Sequence, residues 1–435
     1  MRNSYKFLQS SVHIDALVGD LRKSFDKLKD HRASNTQYSL PNLLMSVFAM
    51  FSLKYVSLLD FETQTESERK NLENIYGVRE LITDSGLRKV LDKVSWKSLR
   101  LQFKSQFQRI RKLGILRDYY FLKNYILISV DGVEHFNSKK VHCDQCLKKT
   151  HKNGEVSYSH SMLCAVMVHP NEREVFVIGT EPIQTQDGQQ KNDCERNASK
   201  RLKDWLSNNY TGEKFLFLED ALYSTAPNIK QIRANNWDFI ISVKPDGNKY
   251  LFELWELRKR INKLISYYEY EEDGVKYQFS YFNKVTLNEA NPDVRVNFLH
   301  CKQTNQKGQI TIFSWATSLT INERNIMDLM RAGRSRWKIE NETFNTLKNQ
   351  GYRFEHNYGH GHQNLSCVFA HLMLMAFLID QIVQRCSNNF KALWRATRTK
   401  SKLWEMIRSL FRVKIYNNFK ELYLDLAILF NVQLE

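Results

Sequence analysis

The sequence lacks the features that would mark an exported or membrane-spanning protein. Its N-terminus carries no apolar core followed by a cleavage site, so we expect a cytoplasmic protein. Its most apolar stretch, CVFAHLMLMAFLIDQIV, is short and interrupted by His371 and Asp380, which predicts a buried helix rather than a membrane span. Its seven cysteines are odd in number and scattered along the chain, which does not fit a disulfide framework.

Acidic residues are scarce relative to basic ones, with 47 Asp and Glu against 64 Lys and Arg and a formal net charge of +17. Such a surplus favours a polyanionic partner, nucleic acid ahead of an acidic membrane; a generically basic surface is the alternative. Between Arg385 and Lys414 nine basic residues stand against one acid, interleaved with aromatic residues. This pattern predicts a helical arm lying along phosphates. We assign the contacts within that arm to Arg395, Arg398, Lys400 and Lys402.

A chain of 435 residues is too long for one compact core, and its hydrophobic period changes along its length. Apolar residues recur at helical spacing up to about residue 122, as in PNLLMSVFAMFSLKYVSLLDFE. From residue 123 strand-like and helical runs follow in the order β-β-β-α-β-α-β. We therefore predict an α/β fold, in which a mixed sheet covered by helices follows an N-terminal helical domain.

Alternating strands such as VRVNFLHCKQ and QITIFSWATSL interrupt this order and predict a separate β-rich insertion. Helical periodicity resumes after the insertion and continues through a basic C-terminal region. The predicted domains are a helical domain at 1–122, a sheet core in two parts at 123–250 and 318–385, the insertion at 251–317, and a basic helical C-terminal region at 386–435.

Two acids end predicted strands: Asp131 ends the first strand and Asp220 the fourth. Acids at strand ends lie at the rim of an open α/β sheet, where such sheets bind ligands. A third carboxylate from a later helix packed on that rim would complete a cluster, and hard oxygen ligands select Mg²⁺ or Mn²⁺. Two such ions could activate a water or hydroxyl for phosphodiester transfer. Each acid alone could instead be a strand-end cap or a solvated residue.

The helix predicted over GRSRWKIENETFNTLKNQGY carries two acids, and helical geometry separates them. At about 100° per residue, Glu340 shares a largely apolar face with Arg336 and Trp337, whereas Glu342 lies on a mostly polar face. An acid on an inward face needs a partner, and a metal ion supplies one. We therefore predict that Glu340 is the third carboxylate, with Arg336 one turn before it, and that Glu342 faces solvent.

The segments SVDGVEHF, FLEDALYS and RSRWKIENETFNTLKNQGY resemble bacterial insertion-sequence transposases of the DDE class, in particular the cut-and-paste group with a Tyr-Arg-Glu-Lys signature. The resemblance implies an RNase H-like catalytic core in which Asp131, Asp220 and Glu340 hold two Mg²⁺ or Mn²⁺ ions. It also implies that Arg336 and Lys348 are the signature basic residues, which contact DNA phosphates near the cut.

The chain departs from that signature at two positions. Gly333 stands where the signature has tyrosine, and Lys348 lies one residue later than the usual spacing from the glutamate. The resemblance further implies that Trp315, at the end of the insertion, stacks on a base flipped out during hairpin formation. A buried core tryptophan is the alternative interpretation of Trp315.

A second metal site is predicted in HCDQCLKKTHKNGEVSYSHSMLC. A Cys-x-x-Cys step with nearby imidazoles suits a tetrahedral, structural Zn²⁺, and buried cysteines in strands are the alternative. The proposed ligands are Cys143, Cys146, His151 and His160, with Cys164 or Cys194 as substitutes.

Three further groups receive less specific interpretations. The tract HNYGHGHQN, residues 356–364, follows the catalytic helix, and its histidines are expected to line or contact DNA rather than bind metal. His135 is either a structural residue or a support for Asp131. Asp193 and Glu195 are interpreted as acids that favour a helix start.

Together these features predict a transposase that binds terminal inverted repeats with its helical N-terminal domain and basic arm. It would cleave strands with metal-activated water and join the freed 3′-hydroxyl to target DNA, and the resemblance implies excision through hairpin ends. Because two ends must be held together, we predict a homodimer on paired ends, in the bacterial cytoplasm at the nucleoid and without a membrane partner. The alternatives are a catalytically silent DNA-binding regulator and an RNase H-like nuclease that cleaves without joining.

Overall fold

Helices form both ends of the chain and a large sheet forms its middle, as the change in hydrophobic period predicts. The computed structural model describes residues 12–33, 35–80, 82–122, 124–184 and 194–434, without the side chains of 65–67. Its α-helices are, in chain order, α1 Ile14–Phe25, α2 Leu40–Ser52, α3 Leu58–Tyr76, α4 Asp84–Leu91, α5 Trp96–Lys112, α6 Glu195–Asn209, α7 Ala226–Ala234, α8 Lys249–Ile261, α9 Ile326–Ser335, α10 Asn345–Asn349, α11 Leu365–Cys386, α12 Asn388–Thr397, α13 Lys400–Val413 and α14 Phe419–Leu429. A π-helical segment, Ile339–Phe344, lies between α9 and α10.

The strands all belong to one sheet. They are β1 Tyr120–Phe121, β2 Tyr125–Ser138, β3 Leu147–Thr150, β4 Val156–His169, β5 Glu172–Ile183, β6 Phe215–Glu219, β7 Asp238–Ser242, β8 Ser266–Glu272, β9 Val275–Thr286, β10 Arg295–Thr304 and β11 Ile310–Thr317. Short 3₁₀ helices precede β1 and follow β6, at Ile115–Tyr119 and Ala221–Tyr223.

Strand β2 is central to the part of the sheet that carries the predicted acids. It pairs antiparallel with β4 and parallel with β6; β5 adds antiparallel to β4, and β7 adds parallel to β6. The first half of β2, Ile126–Val130, is buried throughout because helices cover both faces of the sheet there. The mixed sheet with covering helices is therefore confirmed, as is the predicted order β2, β4, β5, α6, β6, α7, β7.

The strands predicted as an insertion extend this same sheet. Strand β11 pairs antiparallel with β7, with Trp315 opposite Ser242, and β10, β9 and β8 follow in antiparallel order. The sheet order is therefore β3-β4-β2-β6-β7-β11-β10-β9-β8. The β-rich segment is thus joined to the core by backbone hydrogen bonds, and the predicted boundary at residue 251 falls inside α8.

The N-terminal and C-terminal helices pack on each other. The Asn71 amide donates to the carbonyls of Phe411 and Lys414 at 2.7 and 2.8 Å, and its oxygen accepts from the Tyr416 amide at 2.7 Å. Phe411 and Trp404 are buried, so aromatic residues expected in a DNA-binding arm belong to the protein core. The basic C-terminal region is therefore docked against α3. Some of its basic residues, such as Arg395 and Arg398, are exposed, whereas Lys400 and Arg408 are partly buried.

Helix α11 is buried in the middle of the molecule. Within the described part of the chain it is the one helix long and apolar enough to cross a membrane, but 94% of its most apolar window is buried inside the fold. Asp380, which interrupts its apolar sequence, lies 2.6 Å from the buried Lys54 Nζ. As expected from the sequence, α11 is a core helix whose one acid has a cationic partner.

Candidate active site and a cysteine–histidine cluster

The pairing of β2 with β6 places the two predicted strand-end acids side by side. The parallel register runs to Ser129 opposite Leu218, so two further residues on each strand bring Asp131 level with Asp220. Strand β6 ends at Glu219, and the Asp220 carboxylate accepts a hydrogen bond from the Leu222 amide at 2.9 Å. Asp220 therefore follows the carboxyl end of β6, as predicted. Asp131 does not end its strand, because β2 continues to Ser138, so that part of the prediction is wrong. The parallel pairing of β2 with β6 stops just before both acids, and the ends of parallel pairing are where open sheets bind ligands.

The acid next to Asp220 has a different role. Glu219 is fully buried, and its carboxylate lies 2.6 Å from Lys203 Nζ and accepts from the Asn228 amide at 2.7 Å. A buried carboxylate with two such partners is a structural ion pair. The change of direction at the end of β6 separates it from Asp220.

Asp131 is in an environment that disfavours its charge. Its side chain is 23% exposed, and burial raises its pKa to about 6, while Arg336 and the Gly132 amide oppose that rise and the charges of Glu340 and Glu195 add to it. The Gly132 amide donates to Asp131 Oδ1 at 2.9 Å. A nearby cation would therefore stabilise the ionised form of Asp131.

Arg336 connects Asp131 to Glu340. Its Nη1 lies 3.3 Å from Asp131 Oδ2 and its Nη2 lies 2.9 Å from Glu340 Oε1. The guanidinium is 11% exposed, and the Arg336 carbonyl accepts from the Ser129 hydroxyl at 3.0 Å, which anchors this helix to β2. The structure thus brings the helical acid and the first strand acid to opposite sides of one buried positive charge.

The segment that carries Glu340 and Glu342 is a π-helix, so a regular helical wheel does not describe it. The two side chains are similarly exposed, 38% for Glu340 and 34% for Glu342, and Trp337, expected on the inward face, is exposed. What distinguishes the two acids is their partner. Glu340 pairs with Arg336 at the sheet rim, and Glu342 lies 3.7 Å from Arg173, so it is neither free nor fully solvated. π-Helical turns recur at functional sites because they re-aim side chains.

Glu195 is an additional acid at this rim that the sequence interpretation missed. A Cβ at Gly132 would lie 2.5 Å from Glu195 Oε1, so the carboxylate packs directly over the residue after Asp131. The Tyr223 hydroxyl donates to Glu195 Oε2 at 3.4 Å, and burial, followed by the charge of Asp220, raises the pKa of Glu195. Its place in the first turn of α6 is common for an acid, so no sequence signal separated it from Asp193, which lies outside the described residues.

The carboxylate set fits a hard divalent cation in its chemistry. Its donors are oxygens of three or four acids beside one arginine, and burial, with a smaller contribution from Glu340 and Glu195, raises the pKa of Asp131. The acids are not drawn tightly together: among the described residues, the group of three or more metal-ligating side chains whose ligand atoms lie within 4.8 Å of one another is a different one, described below. The carboxylate site is therefore open, with Arg336 between two of its members.

Trp315 is a buried residue, and its position explains the glycine at 333. The indole is 3% exposed and stacks on Phe313 with ring centroids 5.6 Å apart. A Cβ at Gly333 would lie 2.6 Å from Trp315 Cε2 and Nε1. Any side chain at 333 would displace the indole, so Gly333 is the residue that lets α9 pack on β11. In this arrangement no base can stack on Trp315 unless the indole moves.

Among the other predicted DNA-binding residues, the three lysines have partners outside the carboxylate site and the two arginines are exposed. Lys348 Nζ is 2.5 Å from Glu355 Oε1, and Lys402 Nζ is 3.4 Å from Glu405 Oε2. Lys400 is partly buried and donates to the Gln384 side chain at 3.2 Å. Exposed Arg395 and Arg398 line a hollow whose other basic and aromatic members are Arg173, Lys391 and Trp394.

The second site is a cluster of two cysteines and two histidines drawn from three parts of the chain. The Sγ atoms of Cys143 and Cys146 are 3.9 Å apart, and each lies 3.5 Å from His160 Nε2. His360 Nε2 lies 3.2 Å from Cys146 Sγ and 3.2 Å from His160 Nε2. Three of the four residues are buried, and Cys143 is partly exposed.

One predicted zinc ligand does not belong to this cluster. His151 Nε2 lies 2.8 Å from Ser157 Oγ at the turn between β3 and β4, so its ring points away from the cysteines. His360 completes the set instead, although its tract was expected to contact DNA. Cys164 is buried in β4 opposite Asp131 and Cys194 is exposed before α6, so neither substitutes.

The surroundings of the cluster favour its present arrangement. The hydrogen bond from Cys146 lowers the pKa of the Cys143 thiol well below its usual range. His135 is buried and stacks on His160 with ring centroids 6.1 Å apart, and burial lowers the pKa of His135, which keeps the ring neutral. His135 therefore packs against the cysteine–histidine cluster, although it is close to Asp131 in sequence.

Comparison with known proteins gives one family. The model of a transposase DDE domain matches residues 135–378, which include Asp220 and Glu340 and begin just after Asp131. No curated protein matches the sequence. A solved structure of a piggyBac transposase synaptic complex with hairpin DNA is similar at 11% identity and a TM-score of 0.41, with 98% of this chain and 80% of that chain covered.

Proposed function

The chain belongs to the family of proteins with a transposase DDE domain, and on that premise we propose that it is the transposase of a bacterial insertion sequence. It would bind the terminal inverted repeats of the element, cleave DNA strands and join them to target DNA by a cut-and-paste route. One observation supports the proposal: Arg336 pairs with both Asp131 and Glu340, and the register of β2 and β6 brings Asp131 level with Asp220. The order β5-β4-β2-β6-β7, antiparallel then parallel, supports an RNase H-like core.

The three acids would hold Mg²⁺ or Mn²⁺, two ions per site, and Glu195 lies close enough to Asp131 to bear on the same ions. Such ions, when bound, activate a water or hydroxyl and stabilise the leaving oxygen in phosphodiester transfer. The chain itself contributes position: β2 and β6 fix two carboxylates in register, and Arg336 holds Glu340 toward them. Arg336 is also placed to pair with a phosphate once its carboxylate partners bind cations.

The DNA partner is supported by the charge of +17 and by the exposed basic hollow around Arg395 and Arg398. Cleavage of two ends calls for a homodimer on paired ends, and hairpin intermediates with Trp315 as a base-stacking residue would require its indole to leave the contact with Gly333. We place the protein in the bacterial cytoplasm at the nucleoid, where its substrate lies.

Activity is tested with a supercoiled donor plasmid carrying the element's ends, the purified full chain and Mg²⁺. Joined products support the transposase. Cleavage without joining would instead support an RNase H-like nuclease, and end binding without cleavage a catalytically silent regulator. If the protein neither binds nor cleaves the ends in Mg²⁺ or Mn²⁺, the proposed function is wrong.

The phosphate role of the basic hollow is tested by the salt dependence of DNA binding. Arg395→Gln with Arg398→Gln should lower the slope of log K against log salt by about 0.9 per lost phosphate contact, or about 1.8 for both. Lys230→Gln with Lys276→Gln, a matched loss of two exposed cations outside the N-terminal domain and the basic hollow, should leave the slope unchanged. An unchanged slope in the double variant would remove these arginines from the DNA interface.

A further inference from the structure

The four side chains of the cysteine–histidine cluster face one point, and their spacing is that of a tetrahedral metal shell. Zinc lies about 2.3 Å from thiolate sulfur and about 2.0–2.1 Å from imidazole nitrogen, so a tetrahedron has S–S, S–N and N–N edges of about 3.8, 3.5 and 3.3 Å. The corresponding distances are 3.9 Å between the sulfurs, 3.2–3.5 Å between sulfur and nitrogen, and 3.2 Å between the nitrogens. The sulfurs are too far apart for a disulfide, which needs about 2.05 Å.

The hydrogen bonding of His360 also points to a metal. Its Nδ1 lies 2.6 Å from the Gly361 carbonyl, which can only accept, so Nδ1 carries the proton and a neutral ring presents a lone pair at Nε2. Metal-binding histidines characteristically donate their second nitrogen to a backbone carbonyl in this way. The Nε2 atom of His360 lies 3.2 Å from Cys146 Sγ and 3.2 Å from His160 Nε2, and ionised thiols and a neutral imidazole nitrogen are the ligand atoms that zinc takes.

We propose that Cys143, Cys146, His160 and His360 bind one structural Zn²⁺, and that this ion fixes the segment after Glu340 to β4 and to the loop that follows the Asp131 strand. Cys143 and Cys146 lie in the loop that follows β2, and His160 lies in β4, the antiparallel partner of β2. His360 lies between α10 and α11, on the segment that follows the π-helix. Zinc binding itself does not depend on the proposed function, whereas its effect on cleavage does.

A second anchor holds the same segment from the other side. The Asp92 carboxylate accepts hydrogen bonds from the amides of His362, Gln363, Asn364 and Leu365 at 2.9–3.0 Å. This caps the start of α11 and leaves His360 just before it, directed toward the cysteines. With zinc bound, the segment from Glu340 to α11 would be fixed at two points, one on the N-terminal helices and one on the sheet.

The metal content of the purified full chain tests the site directly. We expect about one equivalent of zinc per chain by mass spectrometry of the metal, and loss of that zinc in Cys146→Ser and in His360→Ala. His151→Ala is the matched control, because His151 is a neighbouring histidine outside the shell, and should keep its zinc. Zinc-free wild-type protein, or zinc retained by His360→Ala and lost by His151→Ala, would overturn the proposal.

Cobalt substitution keeps the test valid if a variant fails to fold. Wild-type protein loaded with Co²⁺ should show the intense visible absorption of a tetrahedral thiolate site, together with thiolate-to-cobalt charge transfer. A weak spectrum, typical of octahedral cobalt, would exclude the proposed ligand set. This measurement uses wild-type protein alone and so does not depend on the folding of any variant.

The consequence for the catalytic segment has its own test. Zinc-depleted protein should cleave donor DNA about 10²-fold more slowly, because a displacement near 1 Å of Glu340 has an effect of that size. Glu340→Gln should lose cleavage but retain zinc. Full cleavage by zinc-depleted protein would overturn the positioning role, whereas a zinc-bound wild-type protein that never cleaves would contradict the proposed function alone.

Discussion

The carboxylate site and the cysteine–histidine cluster both join the segment around α10 to the β2–β4 part of the sheet, but they are built in opposite ways. The acids are partly exposed, 23% for Asp131 and 38% for Glu340, and are spaced around a guanidinium. The cluster is mostly buried, and its four ligand atoms lie within 4.8 Å of one another. A catalytic metal site leaves a coordination position open for substrate or water, whereas in a structural metal site the protein supplies all the ligands. The molecule thus contains one partly exposed group of acids and one mostly buried group of cysteines and histidines.

The largest expected effect separates the two acids of the π-helix. Glu340→Gln should lower strand cleavage by about three orders of magnitude, because loss of several kcal/mol of charge stabilisation corresponds to such a factor, while DNA-end binding is kept. Glu342→Gln, which removes only a partner of Arg173, should cleave within about threefold of wild type. Cleavage assays on donor plasmid measure both, and an inactive Glu342 variant beside an active Glu340 variant would show that the wrong acid has been placed in the open site.

The closed shell should respond to mutation with a loss of stability. Cys146→Ser should lower the midpoint of thermal unfolding by several degrees, because binding of a structural metal contributes directly to folding free energy. His151→Ala, at the same end of the sheet, should shift it little. Scanning calorimetry measures these midpoints. Equal midpoints for Cys146→Ser and wild type would show that the cluster does not stabilise the fold through a bound metal.

Mutation of an acid in the carboxylate site should increase the stability of the protein rather than lower it. The pKa of Asp131 is about 6 in the folded protein against 3.8 ordinarily, so its stabilising contribution is complete below pH 3.8 and is lost as the pH rises through about 6. Asp131→Asn does not titrate and should exceed wild type in free energy of unfolding by up to about 2–3 kcal/mol at pH 8, while losing cleavage. The difference should vanish near pH 4 in denaturant titrations.

Asp246→Asn is the control for that measurement, since Asp246 is an exposed acid beyond the end of β7. Its difference from wild type should be small and should not change between pH 4 and pH 8. If Asp131→Asn is instead less stable than wild type at pH 8, the ion pair with Arg336 outweighs the effect of burial, and the open site is held together by its own charges.

The smallest expected effect concerns the packing that positions α9. Gly333→Ala should lower the free energy of unfolding by about 1–2 kcal/mol, because its Cβ would overlap the Trp315 indole. Gly247→Ala, where a Cβ meets nothing within 4 Å, should stay within about 0.5 kcal/mol of wild type. Intrinsic fluorescence should report movement of the indole in the first variant only, and an unshifted spectrum would mean that Trp315 yields without strain.

Local pattern was sufficient to predict the core strands and the acid that follows β6. The period-two and apolar runs of β2, β4, β5, β6 and β7 each occupy one continuous stretch. The same pattern ended the first strand too early, because β2 continues past Asp131 to Ser138 in its pairing with β4. The π-helix at Ile339–Phe344 has no such signature, because one extra residue in a turn leaves the apolar spacing nearly intact. The regular helical wheel therefore predicted wrongly that Trp337 faces inward and that Glu342 is solvated; Trp337 is exposed and Glu342 lies beside Arg173.

Contacts between distant segments were beyond prediction for a different reason. His160 and His360 are separated by 200 residues, and nothing in the local sequence of HNYGHGHQN reports what lies across from it. His151 was the nearer histidine in sequence and the wrong one in space. Gly333 likewise is explained only by Trp315, which reaches it from β11.

The contact between α1 and α14 has a consequence for how the chain is made. The Phe419 amide donates to the Asp15 carboxylate at 2.8 Å across 404 residues of sequence. During synthesis, the surfaces of α1 and α3 that contact the C-terminal helices stay uncovered until α13 and α14 have been translated. Folding that depends on such distant contacts is slow and leaves early segments prone to aggregation. A chain truncated before α13 would lack these contacts. We therefore expect chaperones to bind the N-terminal helices until translation is nearly complete.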